Sequence, residues 1–537
     1  MGVRRFFVVI AAFIVLGMLA STAQASEKKT YHTATLALTD TERVLVKTSH
    51  SIDNLQITES EYPGSKDTVY TYDIKRFNLR VGELKIVKRQ FENGDYFLFT
   101  KIRNMKDFDF YMELEYKFPK SIDIEMDAYS KYPKPTGTSV SMGEDITSYP
   151  TGLLKMTEEG RPFKQIMAGK SYRSLEQIKR YEHVNKSVIR DLKSETDAVE
   201  ITEEGDAKHL VVSLNSMGRD ITEQWLMVSN AELFKNTDEL HDWMKYSAAN
   251  YRKTNKWYTA DGPYNKMVLT VEPQPRSKMG YGRTLLMFRE HEALKRVKAT
   301  GERYYQNLVY NSVADLLNFR GDRTFWETEV TSTYLKNLYN ITAPFIDTRF
   351  NEYIALYLEE IGEDLNLPEL QEPLVTYADF LLSQFETGNV IKVNERGALI
   401  PDYFAVFDPV LTHTSLNHGL GGMNILLEAY TITNDTKYLI GAYTVQEGIN
   451  GLGMQWIRDD GDTWYKVNPD LTFIGRDYET LTVEDLLKSY DYWQKIDPSQ
   501  LPMIETFLES KTSYLKRTGI HIPADLQDKL YSYGIGN

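Results

Sequence analysis

The segment THTSLNHGLGGMN, residues 412–424, holds two of the nine histidines in the chain. Imidazole titrates near neutral pH, so His413 is a candidate acid/base catalyst and His418 a candidate for substrate binding, with Asn424 beside it. A packed, hydrogen-bonded role is the alternative for either histidine. Their spacing of five residues, about 140° around a helix, makes them poor ligands for one metal ion.

A carboxylate and a phenol precede this segment, in RGALIPDYFAVFDP. Asp402 and Tyr403 stand side by side on a turn after Pro401, shortly before the first histidine. Such a set could transfer protons, so both are candidate catalytic residues. A strand-like connector with a buried tyrosine is the alternative.

The segment WETEVTSTYLKNLYNITAPFIDTRFNE is rich in charged side chains. Glu329 is a candidate acid or base. Pro344 breaks the helical pattern, which predicts that Asp347 caps a new helix. Arg349 could bind a substrate carboxylate through two hydrogen bonds, and Glu352 is predicted to accompany it in substrate binding. Structural ion pairing of Asp347, Arg349 and Glu352 is the alternative.

A third segment, GMQWIRDDGDTWYKVNPD, combines a cation with two neighbouring aromatic rings. Arg458, Trp464 and Tyr465 are candidates for binding a sugar, whose C–H face stacks on rings that carry a polar tip. Packing on a neighbouring loop is the alternative. The Asp-Asp-Gly-Asp run predicts a turn before it predicts a calcium site, because the spaced ligands of an EF-hand loop are missing. We therefore expect no metal and no cofactor, with calcium as the alternative.

Two hydrophobic periods divide the chain. Residues 26–232 alternate apolar with polar side chains, and Asn93-Gly94 is a strong hairpin signal, so this part is predicted to be an antiparallel β-sandwich or barrel. A boundary between two β subdomains is predicted within 130–195. Residues 233–537 follow the helical period.

Helix hairpins recur in the second half, with short turns at 300–302 and 433–435. Repeated hairpins predict stacked helix pairs, either as an open solenoid or as a closed α/α toroid. The long, aromatic, glycine-containing segments between hairpins favour the toroid, with function on the long-loop side. The predicted class is therefore α+β multidomain.

The amino-acid composition limits the cellular location and the classes of binding partner that we expect. Residues 1–25 have a basic start, an apolar run and Ala-Gln-Ala, which predict a cleaved signal peptide and a secreted or cell-envelope protein without a membrane anchor. A formal charge of −14 argues against nucleic acid as a partner. Abundant tyrosine favours a polysaccharide. The oligomeric state stays open, with a homodimer as one alternative.

The C-terminal half resembles the C5-epimerases of glucuronyl polysaccharides and, more broadly, polysaccharide lyases built from a β domain and a toroid. That family has a Tyr-Asp-Leu-Arg-His segment, then a His-Thr-Thr-His-x-Asn cluster that opens an apolar helix. Here LIPDYF precedes HTSLNHGLGGMNILL. Asp402 matches, His418 and Asn424 match approximately, and Tyr403 would substitute from a shifted position. Phe404 and Ala405 replace the arginine and histidine of the first segment.

The resemblance implies C5-epimerisation of uronic acid residues. Removing the C5 proton leaves charge beside the carboxylate, which a cation or strong donors must stabilise, and Arg349, Arg458 and His418 are candidates. Tyr403, His413 and Glu329 could serve as base or acid. A lyase, a hydrolase that pairs Glu329 with Asp402 or Asp347, and a noncatalytic glycan-binding protein are the alternatives.

Overall fold

The computed structural model describes residues 31–39, 42–132, 145–267, 270–274, 280–407 and 409–535. The predicted signal peptide, residues 1–25, lies outside the described residues and stays a prediction. The described chain is α+β, with antiparallel sheets in its N-terminal part and helices in its C-terminal part.

Fifteen of the described strands precede the first described helix. They are β1 (His32–Ala37), β2 (Arg43–Thr48), β3 (Ser51–Tyr62), β4 (Ser65–Arg76), β5 (Leu79–Phe91), β6 (Tyr96–Asn104), β7 (Asp109–Pro119), β8 (Ile122–Ala128), β9 (Gly152–Glu158), β10 (Arg161–Ala168), β11 (Ser171–Arg180), β12 (Lys186–Thr196), β13 (Val199–Glu204), β14 (Ala207–Met217) and β15 (Ile221–Ser229). The predicted Asn93-Gly94 hairpin joins β5 to β6, and the Asn93 side chain accepts a hydrogen bond from Asp95 N.

These strands form two sheets that share one apolar core. One sheet has the order β1-β2-β7-β14-β13. The other ten strands, which include the run β15-β6-β5-β4-β3, form a sheet that two short strands from the helical part extend to twelve. Alternate residues of β2 and β7 are buried, and Val46 and Leu114 of the first sheet share the core with Leu84 and Ile86 of the second. The stretch 150–195, which polar residues obscure in the sequence, contributes β9 to β12.

The α-helices begin after β15. They are α1 (Thr237–Ala249), α2 (His291–Thr300), α3 (Arg303–Arg320), α4 (Thr333–Tyr339), α5 (Thr348–Asp364), α6 (Glu372–Glu386), α7 (Leu416–Thr433), α8 (Thr436–Leu452), α9 (Leu481–Ile496), α10 (Leu501–Thr518) and α11 (Ala524–Ser532). Short strands lie in the loops between them: β16 (Asn265–Lys266), β17 (Gly280–Gly282), β18 (Phe345–Asp347), β19 (Ile391–Lys392), β20 (Ala398–Leu399), β21 (Tyr403–Ala405), β22 (Thr414–Ser415), β23 (Trp464–Val467) and β24 (Phe473–Arg476).

The predicted short turns are confirmed. Gly301 ends α2 and Asn434 ends α7, each in the left-handed conformation that closes a helix without strain in glycine and asparagine. α5 and α6 form a further hairpin, as do α9 and α10. Closure of these hairpins into a toroid stays a prediction.

A second core joins the sheets to the helices. Phe97 and Trp225 of the large sheet pack with Tyr258 and with the first helical hairpin. Arg89 on β5 forms buried ion pairs with Asp67 on β4 and Asp315 on α3. The β and α parts are therefore fixed against each other. Among the described residues, no helix is long and apolar enough to cross a membrane.

Candidate functional site

Two short β-ladders bring distant loops together. In the first, β18 pairs with β21, and Asp347 lies opposite Tyr403. In the second, β22 pairs with β23, and β23 pairs with β24. The chain between β18 and β21, and between β22 and β23, is long, so these contacts assemble residues from three interhelical loops near the start of α5 and α7.

A cavity of about 520 Å³ lies beside these ladders. Besides threonine and serine hydroxyls, its polar lining has phenols, guanidiniums and a single carboxylate among the described lining residues. These side chains are Tyr334, Tyr403, Tyr465, Tyr478, Arg283, Arg476 and Asp347. Apolar side chains that include Val330 and Phe345 line the rest.

Asp347 is both a helix cap and a cavity residue. As predicted, it precedes α5, and its side chain accepts a hydrogen bond of 3.0 Å from Phe350 N. Burial raises the pKa of Asp347 to about 7, and nearby Asp402 acts in the same direction. A carboxyl group with this pKa can take up and release a proton near neutral pH.

Tyr403 stands next to this carboxyl in the cavity. Residues directly opposite in an antiparallel pair point to the same face, about 5 Å apart at Cβ. Burial raises the pKa of Tyr403 well above its usual range, with Asp347 and Asp402 adding to the shift. Its phenol is therefore protonated in the resting site and suited to donate a hydrogen bond.

Asp402 and the two histidines lie beneath Tyr403. Asp402 and His413 are fully buried, and His418 is 7% exposed. The Asp402 carboxylate accepts hydrogen bonds from Ser415 N at 2.6 Å and Ser415 Oγ at 2.8 Å. Its Oδ2 lies 3.2 Å from His413 Nε2 and 3.7 Å from His418 Nε2. Both imidazoles therefore face one carboxylate. His413 precedes α7, so the angle of about 140° that would separate two residues five apart on one helix does not apply to this pair.

The charges of this buried group follow from its environment. Burial opposes ionisation of Asp402, but the imidazoles and the Ser415 amide hold its pKa below the usual value. Burial lowers the pKa of His418 to about 4, which Asp402 only partly offsets. His418 is therefore neutral near pH 7, and its Nδ1 lies 2.7 Å from Thr348 Oγ1.

His413 is surrounded by phenol rings. Its Nδ1 is 2.7 Å from Tyr339 Oη, and ring centroids of Tyr334, Tyr403 and Tyr465 lie within 5.9 to 6.2 Å. Three of these four tyrosines line the cavity. His413 thus supports the cavity wall from behind.

A buried lysine adds a cation to this wall. Lys466 on β23 is 7% exposed and donates a hydrogen bond of 2.6 Å to Tyr334 Oη. Burial lowers the pKa of Lys466, while Asp402 opposes the shift. Burial and Asp402 raise the pKa of Tyr334, so its phenol stays protonated and the hydrogen bond from Lys466 holds its oxygen in place.

Arg349 and Glu352 lie under the cavity and are not part of its lining. Arg349 Nη1 is 2.7 Å from Glu352 Oε2, and Nη2 is 2.8 Å from Asp485 Oδ1 on α9. Asn424 accepts a hydrogen bond from Ser489 Oγ and donates one to Asp485 O. A Cβ at Gly421 would lie 2.0 Å from Glu352 Oε2. The glycine therefore lets α7 approach this buried ion pair. The second carboxylate that pairs with Arg349 is Asp485, whereas the sequence suggested Asp347.

The remaining candidates divide between the cavity and its surroundings. Glu329 receives two hydrogen bonds from Arg283, one of them 2.8 Å from Nε, so its carboxylate is already paired. Trp464 and Tyr465 point to opposite faces of β23, and only Tyr465 lines the cavity. Trp464 instead packs under the Arg458 guanidinium, 4.7 Å from the ring centroid.

Sequence reasoning did not single out Tyr334, Tyr339, Lys466, Arg476 or Tyr478. A signal was present, because all five lie in the long aromatic loop segments that were assigned to the functional side. Among the described residues, no group of three or more histidine or carboxylate side chains is arranged to hold a metal ion. The roles of the predicted site residues stay predictions.

Comparisons with known proteins give similarity to solved structures only. No protein-family model matches the sequence, and no curated relative matches it. A cellobiose 2-epimerase from Bacillus thermoamylovorans has a TM-score of 0.38 and 12% identity over 52% of this chain and 70% of that one.

Two further solved structures have lower TM-scores. A family 76 glycoside hydrolase from a bovine Bacteroides thetaiotaomicron strain has a TM-score of 0.34 and 14% identity, over 68% of this chain and 76% of that one. A GH78 family rhamnosidase of Bacillus sp. GL1 has a TM-score of 0.19 and 11% identity, over 79% and 41%. These TM-scores are too low to indicate a function for this protein.

Proposed function

We propose that the protein is a carbohydrate-active enzyme that removes and returns the C5 proton of a uronic acid residue within a polysaccharide. The observation that carries this proposal is the content of the 520 Å³ cavity. It combines a carboxyl group whose pKa is about 7 with phenols and guanidiniums.

The cations suit a substrate that carries a carboxylate. Arg476 leaves 65% of its side chain exposed, and its one ion pair within the described part of the chain is a 3.7 Å contact with Asp460. Its guanidinium is therefore available for a second carboxylate, as C5 deprotonation beside a carboxylate requires. Arg283 is engaged with Glu329 and contributes its positive charge at the cavity wall.

The proton donors and acceptors come from three different loops. Asp347 and Tyr403 share the β18–β21 ladder, and Tyr465 belongs to β23. In the proposed reaction, ionised Asp347 accepts the C5 proton and the Tyr465 phenol supplies a proton to the opposite face of the same carbon. Tyr403 donates a hydrogen bond to the substrate carboxylate, where negative charge develops.

The cavity favours this chemistry over hydrolysis. A hydrolase needs two carboxyl groups that reach the glycosidic bond. Of the residues suggested for that pair, Asp402 is fully buried and Glu329 is bound to Arg283, so that Asp347 remains. A lyase would share the first proton transfer and differ in expelling the oxygen at C4.

Proton NMR in heavy water tests the proposal. The protein is incubated with heparosan, a glucuronate-containing polysaccharide, and the C5 proton signal is followed. Loss of this signal without chain cleavage supports epimerisation, and unsaturated uronate signals identify a lyase. New reducing ends on a wider panel of glycans identify a hydrolase. Binding without any chemical change indicates a glycan-binding protein.

A matched variant separates this cavity from a contaminating activity. Asp347→Asn keeps the helix cap, since asparagine caps as well as aspartate does, but it cannot accept a proton. The folded variant should therefore lose the exchange that the wild type performs.

A further inference from the structure

A second cavity of about 270 Å³ lies near the first, between the β and the helical parts of the chain. The turn between β11 and β12 contributes Tyr181 and Asn185 to its lining. The end of α4 contributes Lys336 and Tyr339, and the loop after β21 contributes Phe407. None of these residues belongs to the proposed reaction.

Two elements run from one cavity to the other. Along β21, Tyr403 lines the first cavity and Ala405 the second, and residues two apart on a strand share a face. Along α4, Tyr334 lines the first and Tyr339 the second. Two residues along the strand, or five along the helix, separate the two cavities by roughly 7 Å. This distance is about the length of one to two sugar rings.

The two cavities also share a supporting residue. His413 contacts Tyr339 through Nδ1 and packs against the rings of Tyr334 and Tyr403. The aromatic wall between the cavities is thus held by one buried imidazole.

We propose that the second cavity binds the neighbouring sugar units of the same polysaccharide chain, so that the protein acts within chains and not on isolated sugars. This inference rests on the proposed function for its substrate class. It adds a binding site to which the N-terminal β part contributes directly.

The lining has the side chains that a neutral or acidic sugar unit needs. Phe407 is 37% exposed, which leaves a ring face free for stacking against the C–H face of a sugar. The amide of Asn185, already 3.0 Å from Thr342 Oγ1, and the phenol of Tyr339 supply polar groups beside it. Lys336 is anchored by Glu272, and Tyr181 also donates to that carboxylate, so the cavity edge is held in place.

Titration calorimetry with heparosan oligosaccharides of increasing length, from a disaccharide to an octasaccharide, tests the inference. The wild type should bind the octasaccharide about tenfold more tightly than the disaccharide. Phe407→Ala should remove most of this difference and leave disaccharide binding unchanged. Phe163→Ala, which removes an equally exposed phenylalanine from β10, should bind both as the wild type does.

Deuterium exchange on the same samples separates the two proposals. Length-dependent binding that Phe407→Ala abolishes supports the second cavity, even if no exchange occurs and the proposed reaction fails. Exchange without any length dependence, or with a length dependence that Phe407→Ala retains, overturns the second cavity and leaves the reaction standing. Absence of both binding and exchange overturns both.

Discussion

Asp347 and Tyr403 lie directly opposite each other in the β18–β21 ladder, and both line the 520 Å³ cavity. The chain separates them by more than fifty residues, so this pairing exists only in the folded protein. It places a carboxyl group that titrates near neutral pH beside a phenol that stays protonated. The predictions below follow from this pair and from the buried groups that support it.

Tyr403→Phe should lower the rate of C5 proton exchange by about 10²- to 10³-fold, because it removes a positioned hydrogen-bond donor from the carboxylate on which negative charge develops. Its melting temperature should change little, since only a hydroxyl group at a cavity wall is lost. Tyr443→Phe is the matched control, because the Tyr443 hydroxyl donates to Asp497 outside the cavity. Equal rates in both variants would remove Tyr403 from the reaction.

The raised pKa of Asp347 predicts how stability depends on pH. The folded state holds the proton up to a pKa of about 7, above the ordinary value of 3.8. Between these values the native state binds more protons than the unfolded state, so this group's contribution to stability falls as pH rises. Asp347→Asn should therefore gain stability relative to wild type from pH 4 to 7. Urea unfolding at several pH values measures this, and a constant difference would contradict the shift.

Arg349→Ala should cost about 3 to 5 kcal/mol of unfolding free energy, because it leaves Glu352 and Asp485 buried without their cation. Urea unfolding monitored by circular dichroism measures the loss. Arg476→Ala removes an exposed arginine and should leave stability within about 0.5 kcal/mol. It should instead raise the KM for a uronate substrate. An unchanged KM in Arg476→Ala would argue against carboxylate recognition by Arg476 in this cavity.

Asp402→Ala should destabilise the fold by about 3 kcal/mol, since Ser415 N and the two imidazoles lose their common acceptor. The loss appears as a lower urea midpoint. Asp379→Ala, at a half-exposed carboxylate that pairs with Lys437, is the control and should change stability little. A similar small effect for Asp402 would mean that the buried group does not support the site.

Local sequence signals predicted the elements well. Asn93-Gly94 indicated the β5–β6 hairpin, and the turns at Gly301 and Asn434 ended α2 and α7 as predicted. Each signal depends on the conformational preference of residues within one turn, which does not require tertiary context. The cap at Asp347 was predictable for the same reason.

Long-range contacts were not predictable in this way. The β22–β23 ladder joins residues about fifty positions apart and decides that Tyr465 faces the cavity while Trp464 does not. Arg349 pairs with Asp485 on α9 as well as with Glu352, and no sequence pattern near Arg349 indicates that contact with α9. His413 and His418 meet at Asp402 because His413 lies just before β22 and α7, and the sequence alone did not place the start of that helix relative to His413.

The most direct test of whether Asp347 removes the C5 proton is the pH dependence of deuterium incorporation at C5, measured in the wild type and in Asp347→Asn. The account predicts that the wild-type rate rises with pH through a midpoint near 7, as Asp347 ionises, and that the variant has no such rise and little exchange. Wild-type exchange that persists in Asp347→Asn with the same midpoint would contradict it, as would the absence of exchange at every pH.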